Sequence, residues 1–318
     1  MDSASKGVAC ELSELKGKDF ISSADLTSEQ IKALFALAIQ LKIENRRIDL
    51  GNRVLGLIFS KASTRTRVSF QVAMARLGGQ IVDLGLQATQ IGRGEPIKDT
   101  ARVLSRYCDA LAIRTYSHQD LVDYSNWASI PVVNALTDLE HPCQALADFL
   151  TIQESFGSLK GLTLSYIGDG NNVANSLILC GALLGVNVRV ASPIGFEPDP
   201  DIVSKARSAS SFGSTIQISN DPESTIKGAN AIYTDVWASM GQEEEQCQRE
   251  IAFKGFTVDN NLFSQADPEA IILHCLPAHR GEEITDELME STASKIFEQA
   301  ENRLHIQQAL LASLLGGL

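Results

Sequence analysis

Six cysteines in 318 residues include no Cys-x-x-Cys pair, so the usual frame of a structural zinc site is missing. The six, Cys10, Cys108, Cys143, Cys180, Cys247 and Cys275, are scattered along the chain. That scatter suits a reducing compartment better than a disulfide scaffold. No uninterrupted apolar stretch reaches the roughly 18 residues that a membrane-spanning helix needs. Positive charge is also scarce. Lys and Arg total 27 against 39 Asp and Glu, a formal net charge of −12. Such a field disfavours nucleic acid and anionic membranes as general partners. The opening "MDSASKGVACELSELKGKDF" has no hydrophobic signal core, so a targeting segment is expected to be absent or already removed. No internal repeat or low-complexity segment is evident.

What the sequence has is an ordinary globular balance, 44% hydrophobic and 21% charged, with length for two domains of about 150 residues each. "TSEQIKALFALAIQLK" opens with a capping box, Thr27 and Gln30, and continues at helical spacing. Short apolar strands are expected at 53–59, 80–85, 109–116 and 130–136, alternating with helices after the first and second and at 141–157, where Pro142 takes a first helical position. A second series starts at 161–170 and continues with strands at 187–193, 214–220, 229–237 and 270–277, with helices after the first strand and at 201–213. A long helix closes the chain. Strand–helix alternation of this kind predicts an α/β protein with two mostly parallel sheets flanked by helices. In such sheets ligands sit beyond the carboxyl ends of the strands.

Chemistry gathers at those ends. In "FSKASTRTRVSF" three hydroxyls and two arginines fill positions 63–67 where a strand yields to a helix. Free N–H groups and the helix dipole favour an anion there, and Arg65 adds a planar fork for phosphate oxygens. Arg67, two residues on, falls on another helix face and reads as structural. Arg114 ends the strand "ALAIR". His141 and Gln144 stand three apart at a helix start, able to hydrogen-bond a carbonyl and an amide, although His141 alone also reads as a cap. "GDGNN" at 168–172 is half of a dinucleotide fingerprint, but Val173 replaces its third glycine and no acid ends the next strand. Asp235, after a strand, suits either an ammonium ligand or an Asx turn. Cys275, at a strand's carboxyl end, is either a functional thiol or a packed one.

Taken together, STRTR, HPCQ, DxxxSMG and HCLP resemble the aspartate/ornithine carbamoyltransferase family over residues 18–315 or so, with SMG and HCLP being its ornithine-type features. The resemblance implies a carbamoyl-phosphate domain over 1–148, completed by a C-terminal helix at 295–318 that returns to it, and an ornithine domain over 149–294. It implies that Ser63, Thr64, Arg65 and Thr66 hold the phosphate, that Arg114, His141 and Gln144 hold the carbamoyl end, and that Arg303 adds a contact. Cys275 and Leu276 would line the meeting point of the substrates. Asn172, rather than Asn171, would bind ornithine with Asp235, Ser239 and Met240. Gln90 resembles a residue that reaches a neighbouring subunit's phosphate site in a homotrimer. The implied catalytic set is Cys275, Asp235, Arg114 and His141.

The implied reaction transfers the carbamoyl group of carbamoyl phosphate to the δ-amine of L-ornithine, giving L-citrulline and phosphate, a step of arginine biosynthesis. No metal or organic cofactor is expected, because carbamoyl phosphate is already activated. A soluble enzyme is expected, in the plastid stroma if the source is a plant and in the cytoplasm or mitochondrial matrix otherwise. Three competitors stand beside this reading: a sister transferase acting on putrescine, N-acylated ornithine or aspartate; a nucleotide-dependent oxidoreductase suggested by "GDGNN"; and a catalytically silent paralogue. The loop at 239–241, with the polar run after it, reads as a candidate lid.

Overall fold

The structure is a computed structural model of the chain and describes residues 3–44, 46–85, 94–238 and 246–318. Two compact units emerge. One comprises Met1–Leu146 with Glu301–Leu318, the other Ala147–Ala300.

The first unit begins with α1 (Ser3–Ser13) and α2 (Ser28–Ile43). The predicted capping box is present at α2, Thr27 and Gln30 each binding the other's backbone N–H at 3.1 Å. Then β1 (Val54–Phe59), α3 (Thr64–Arg76), β2 (Gln80–Gly85), α4 (Ile97–Leu104), β3 (Ala110–Arg114), α5 (His118–Trp127) and β4 (Val132–Leu136) alternate. Helix α6 (Pro142–Phe156) starts in this unit, and α13 (Ile296–Leu314) ends in it. All strand pairs are parallel, in the order β2-β1-β3-β4. Central strands in such sheets are covered on both faces, which is why β1 and β3 read as continuous apolar runs; of the two edge strands β2 is more exposed, while β4 is buried and bridged on its outer side by Phe20. Ile58, Leu111, Ile113 and Val132 from the sheet pack with Leu121 and Tyr124 of α5.

The second unit carries β5 (Thr163–Ile167), α7 (Asn172–Leu184), β6 (Asn187–Ala191), α8 (Pro200–Ala209), β7 (Ile216–Ser219), α9 (Pro222–Ile226), β8 (Ala231–Thr234), α10 (Gln246–Ala252), α11 (Asn260–Phe263), β9 (Ile271–His274) and α12 (Asp286–Met289). Its strands are again parallel, ordered β7-β6-β5-β8-β9. Ile167, Ile232 and Ile272 pack with Trp237, Phe253 and Ile284. Sequence periodicity passes over α1, α5 and α9 to α12. The helices α9, α11 and α12 have only four or five residues, too few to display a 3.6-residue period.

Strand order locates the chemistry. In the first sheet β1 has β2 on one side and β3 on the other, so the chain reverses its direction of growth between β1 and β3. In the second sheet the reversal falls between β5 and β8. Crevices at such switch points are where open α/β sheets bind ligands. Among the described residues no helix is long and apolar enough to cross a membrane.

Candidate active site

At the first switch point β1 ends at Phe59, opposite Arg114, the last residue of β3. The Ser60 amide donates to the Arg114 carbonyl at 2.7 Å, tying the following turn to the strand end. Ser63 is the N-cap of α3, in extended conformation, and its hydroxyl accepts from the Thr66 N–H. An N-cap of this kind contributes about 1 kcal/mol. The N–H groups of Thr64 and Arg65 lie in the first turn, where a helix offers no intrahelical acceptor, and they are aligned for an anion. Arg65 is exposed and makes no ion pair among the described residues. Arg67 pairs with Asp83 of β2 and lies 5.0 Å from the Phe59 ring centre. One arginine is free to meet a ligand; the other fastens α3 to the sheet.

Beyond β4, the turn from Thr137 to His141 leads into α6 with Pro142 at its first position. Glu140, directly before His141, is itself anchored. Its carboxylate accepts from the Ser22 hydroxyl at 2.5 Å and the Ser23 N–H at 2.9 Å. Gln144, one turn further on, accepts from Arg303 at 2.6 Å, and Arg303 also donates to the Thr66 hydroxyl at 3.0 Å. Arg303 therefore links α13, α6 and α3 from a position only 4% exposed. Its apolar helix neighbours gave the sequence no sign of that burial. The His141 imidazole is pushed well below its usual pKa, first by burial and then by the Arg303 and Arg114 guanidiniums. It is held neutral, so it can donate one hydrogen bond without carrying charge.

The second unit brings together a different set. Asp235 follows β8, and Cys275 follows β9, the adjacent strand. The Cys275 thiol donates to Asp235 Oδ1 at 2.9 Å. The same oxygen accepts the Val236 N–H at 2.8 Å, while Oδ2 accepts the Asn171 amide at 2.8 Å. Asn171 caps α7 through its amide oxygen, which accepts from the Val173 and Ala174 N–H groups. Asn172 is the first residue of α7. The amide that donates to Asp235 Oδ2 is that of Asn171; the order of two like neighbours in the sequence does not reveal it. Residues Gln90, Ser239 and Met240, and Gly241 of the expected lid, lie outside the described residues.

The turn holding Cys275 and Leu276 is braced from behind. The Leu276 N–H donates to His274 Nδ1 at 2.8 Å, which puts the ring proton on Nε2, facing Glu283 Oε1 at 3.0 Å. His274 and Glu283 side chains are fully buried. The His274 N–H donates to Gln299 Oε1, and Gln299 Nε2 donates to Asp148 and to the Tyr233 hydroxyl. Asp235, His274 and Cys275 bring ligand atoms within 4.8 Å of one another. Both His274 nitrogens are committed to these bonds, however, so a metal ion would have to break one.

The "GDGNN" turn has its own structural reason. A Cβ on Gly170 would meet the Pro198 nitrogen at 2.2 Å and the Glu197 carbonyl carbon at 2.3 Å. Its glycine admits the chain at 197–198, not a pyrophosphate. Asp169 is occupied by a buried ion pair with Arg249 at 2.9 Å, and Arg249 also donates to the Trp237 carbonyl.

Comparison with known proteins adds the family to this geometry. The family model described as "Aspartate/ornithine carbamoyltransferase, carbamoyl-P binding domain" matches residues 18–154, and that described as "Asp/Orn binding domain" matches 160–314. The ornithine carbamoyltransferase of Prochlorococcus marinus is 68% identical over 318 residues, all of both chains. That of a Nostoc species is 57% identical over 305 residues, 96% of this chain and 99% of its own. The solved ornithine carbamoyltransferase of Pyrococcus furiosus superposes with a TM-score of 0.92 at 48% identity, covering 96% of this chain and 99% of its own.

Proposed function

The chain belongs to the aspartate/ornithine carbamoyltransferase family, and from that premise we propose that it transfers the carbamoyl group of carbamoyl phosphate to the δ-amine of L-ornithine, giving L-citrulline and phosphate. The observation that carries the acceptor half is the Asp235 carboxylate, held 2.9 Å from the Cys275 thiol beyond adjacent strands of the second sheet. An acid there recognises a free amino group. The names of the 57–68% identical relatives support ornithine as its owner.

In the first unit, Ser63, Thr64, Arg65 and Thr66 hold the phosphate at the start of α3, with Gln90 of a neighbouring subunit completing the site. Arg114, neutral His141 and Gln144 hold the carbamoyl group, and Arg303 fixes Gln144 and Thr66. Charge grows on the carbamoyl oxygen as the amine attacks, and Arg114 with the His141 N–H stabilises it where it forms. The departing phosphate is stabilised by Arg65 and the α3 N-terminus. In the second unit, Asn172, Asp235, Ser239 and Met240 bind ornithine.

The attacking amine must be neutral. An alkyl ammonium with pKa near 10.4 is neutral in only about one molecule in 2,500 at pH 7. The Asp235–Cys275 pair takes up the amine proton, and the leaving phosphate is the competing acceptor. The N–C bond forms, the C–O bond to phosphate breaks, and one proton leaves nitrogen. Cys275→Ser then lowers kcat/KM for ornithine and moves its pH profile; an unchanged profile removes the thiol from the proton path.

The direct test mixes the protein with carbamoyl phosphate and ornithine, putrescine, N-acetylornithine or aspartate in separate reactions. Citrulline is the expected product, and carbamoylation of another acceptor in preference to ornithine overturns the proposal. The same reading implies a homotrimer, which light scattering would report as about three times the 34.4 kDa chain. The cyanobacterial origin of the two relatives supports a cytoplasmic setting over a plastid one.

A further inference from the structure

Hydrogen-bond capacity at Asp235 is nearly used up within the protein. A carboxylate offers about four lone-pair directions. On Oδ1 the Val236 N–H and the Cys275 thiol occupy two. On Oδ2 the Asn171 amide occupies one. One direction on Oδ2 is left for a ligand ammonium, immediately beside that amide. Asn171 in turn has no freedom to swing away. Its amide oxygen accepts from the Val173 N–H at 2.9 Å and the Ala174 N–H at 3.2 Å, and from the Tyr166 hydroxyl at 3.4 Å. With the oxygen fixed to the helix start, the NH2 group must point at Asp235.

From this geometry we infer that Asn171 is a positioning residue for the amino-acid substrate: it sets the rotation of the Asp235 carboxylate so that the remaining Oδ2 direction meets the substrate's ammonium. The device uses a helix cap as a jig. The cap orients the amide, the amide orients the acid, and the acid orients the substrate. It also stops Asp235 from turning both oxygens toward Cys275. This inference rests on the ornithine reading above for the identity of the ligand, but not for the alignment of Asp235.

Two substitutions separate positioning from folding. Asn171→Ser and Asn171→Asp both keep a good N-cap. The first removes the amide donor, and the second replaces it with a like charge against Asp235. Losing a hydrogen bond to a charged group lowers binding by about 10- to 100-fold. Asn171→Ser is therefore expected to raise KM for ornithine by roughly that factor, and Asn171→Asp by more. KM for carbamoyl phosphate, whose proposed ligands lie in the first unit, is expected to stay within about twofold. An equal effect of both substitutions on both substrates, or none on ornithine, overturns the inference.

A second measurement does not depend on turnover. Peptide-resolved mass spectrometry of iodoacetamide labelling reads the alkylation rate of Cys275 apart from the exposed Cys10 and Cys247. Thiolate is the reactive form, and a second carboxylate beside Asp235 opposes it. Asn171→Asp is expected to slow Cys275 alkylation several-fold relative to Asn171→Ser, with Cys10 and Cys247 unchanged. Equal rates at Cys275 show that Asn171 does not govern the Asp235–Cys275 pair. If the parent protein forms no citrulline yet Cys275 responds in this way, the ornithine assignment fails and the positioning role stands.

Discussion

Arg65 and Arg67 are two residues apart in a single turn, and the structure gives them separate work. Arg67 is spent on Asp83 and the Phe59 ring, whereas Arg65 is exposed beside the first-turn N–H groups of α3. Arg65→Ala is expected to lower kcat/KM for carbamoyl phosphate by about 100-fold or more, since a charge-assisted contact to a developing phosphate dianion is lost. Its melting temperature is expected to stay within a degree or two, because Arg65 makes no ion pair among the described residues. Arg67→Ala is expected to cost under about 1 kcal/mol of stability, its ion pair being partly exposed, and less than tenfold in kcat/KM. Urea midpoints and initial rates on both variants decide it, and matching losses of activity at equal stability would refute the division. That Arg65 and Arg67 lie on different helix faces was legible in the sequence because helical spacing is local information. The choice between Asn171 and Asn172 was not. It depends on which asparagine caps α7 and on where β8 delivers Asp235, sixty-four residues later.

At the scale of elements, both sheets were legible because buried parallel strands are short apolar runs and their crossovers are helices with a period. Strand order was not, and it is the order that places Asp235 beside Cys275 and Phe59 beside Arg114. Equally hidden was the brace behind the HCLP turn, since Glu283 lies in a polar run with no periodic signature. Glu283 accepts from the His274 ring at 3.0 Å and from the His279 N–H at 2.7 Å, inside a fully buried pair. Removing a buried acceptor leaves its donors unsatisfied, at about 1–3 kcal/mol each. Glu283→Ala is accordingly expected to destabilise the second unit by about 2–4 kcal/mol, and Glu283→Gln, which retains an acceptor oxygen, by less than half of that. Trp127 belongs to the first unit and Trp237 to the second, so urea unfolding followed by Trp237 fluorescence in a Trp127→Phe background isolates the effect. Equal losses for Ala and Gln would mean that the brace depends on the charge of the carboxylate and not on an acceptor oxygen at that place.

At the scale of the whole molecule, the unit that is proposed to hold the anion buries Arg303 and two imidazoles, His141 and His305, whose folded state resists protonation. His141 is pushed well below its usual pKa by burial, Arg303 and Arg114. His305 is lowered chiefly by burial, against the Glu301 carboxylate, which lies 3.6 Å from its Nε2 and pulls the other way. Both folded-state values are depressed, so in acid the unfolded chain binds protons that the folded one does not. Stability is then full above the unfolded histidine value near 6.5 and falls as pH drops below it. A histidine that stays neutral in the folded protein contributes a slope that rises from about 0.7 kcal/mol per pH unit at pH 6.5 toward about 1.4 below it. Between pH 6.5 and 5.5 the first unit is expected to lose about 1–2 kcal/mol, while His141→Gln removes half or more of that slope. The urea midpoint, followed by Trp127 fluorescence in a Trp237→Phe background, should fall across this range and flatten in the variant. A midpoint that rises on acidification, or a slope indifferent to His141→Gln, would mean that the imidazole is charged in the folded protein. In that case His141 would meet the carbamoyl oxygen as a cation instead of a neutral donor.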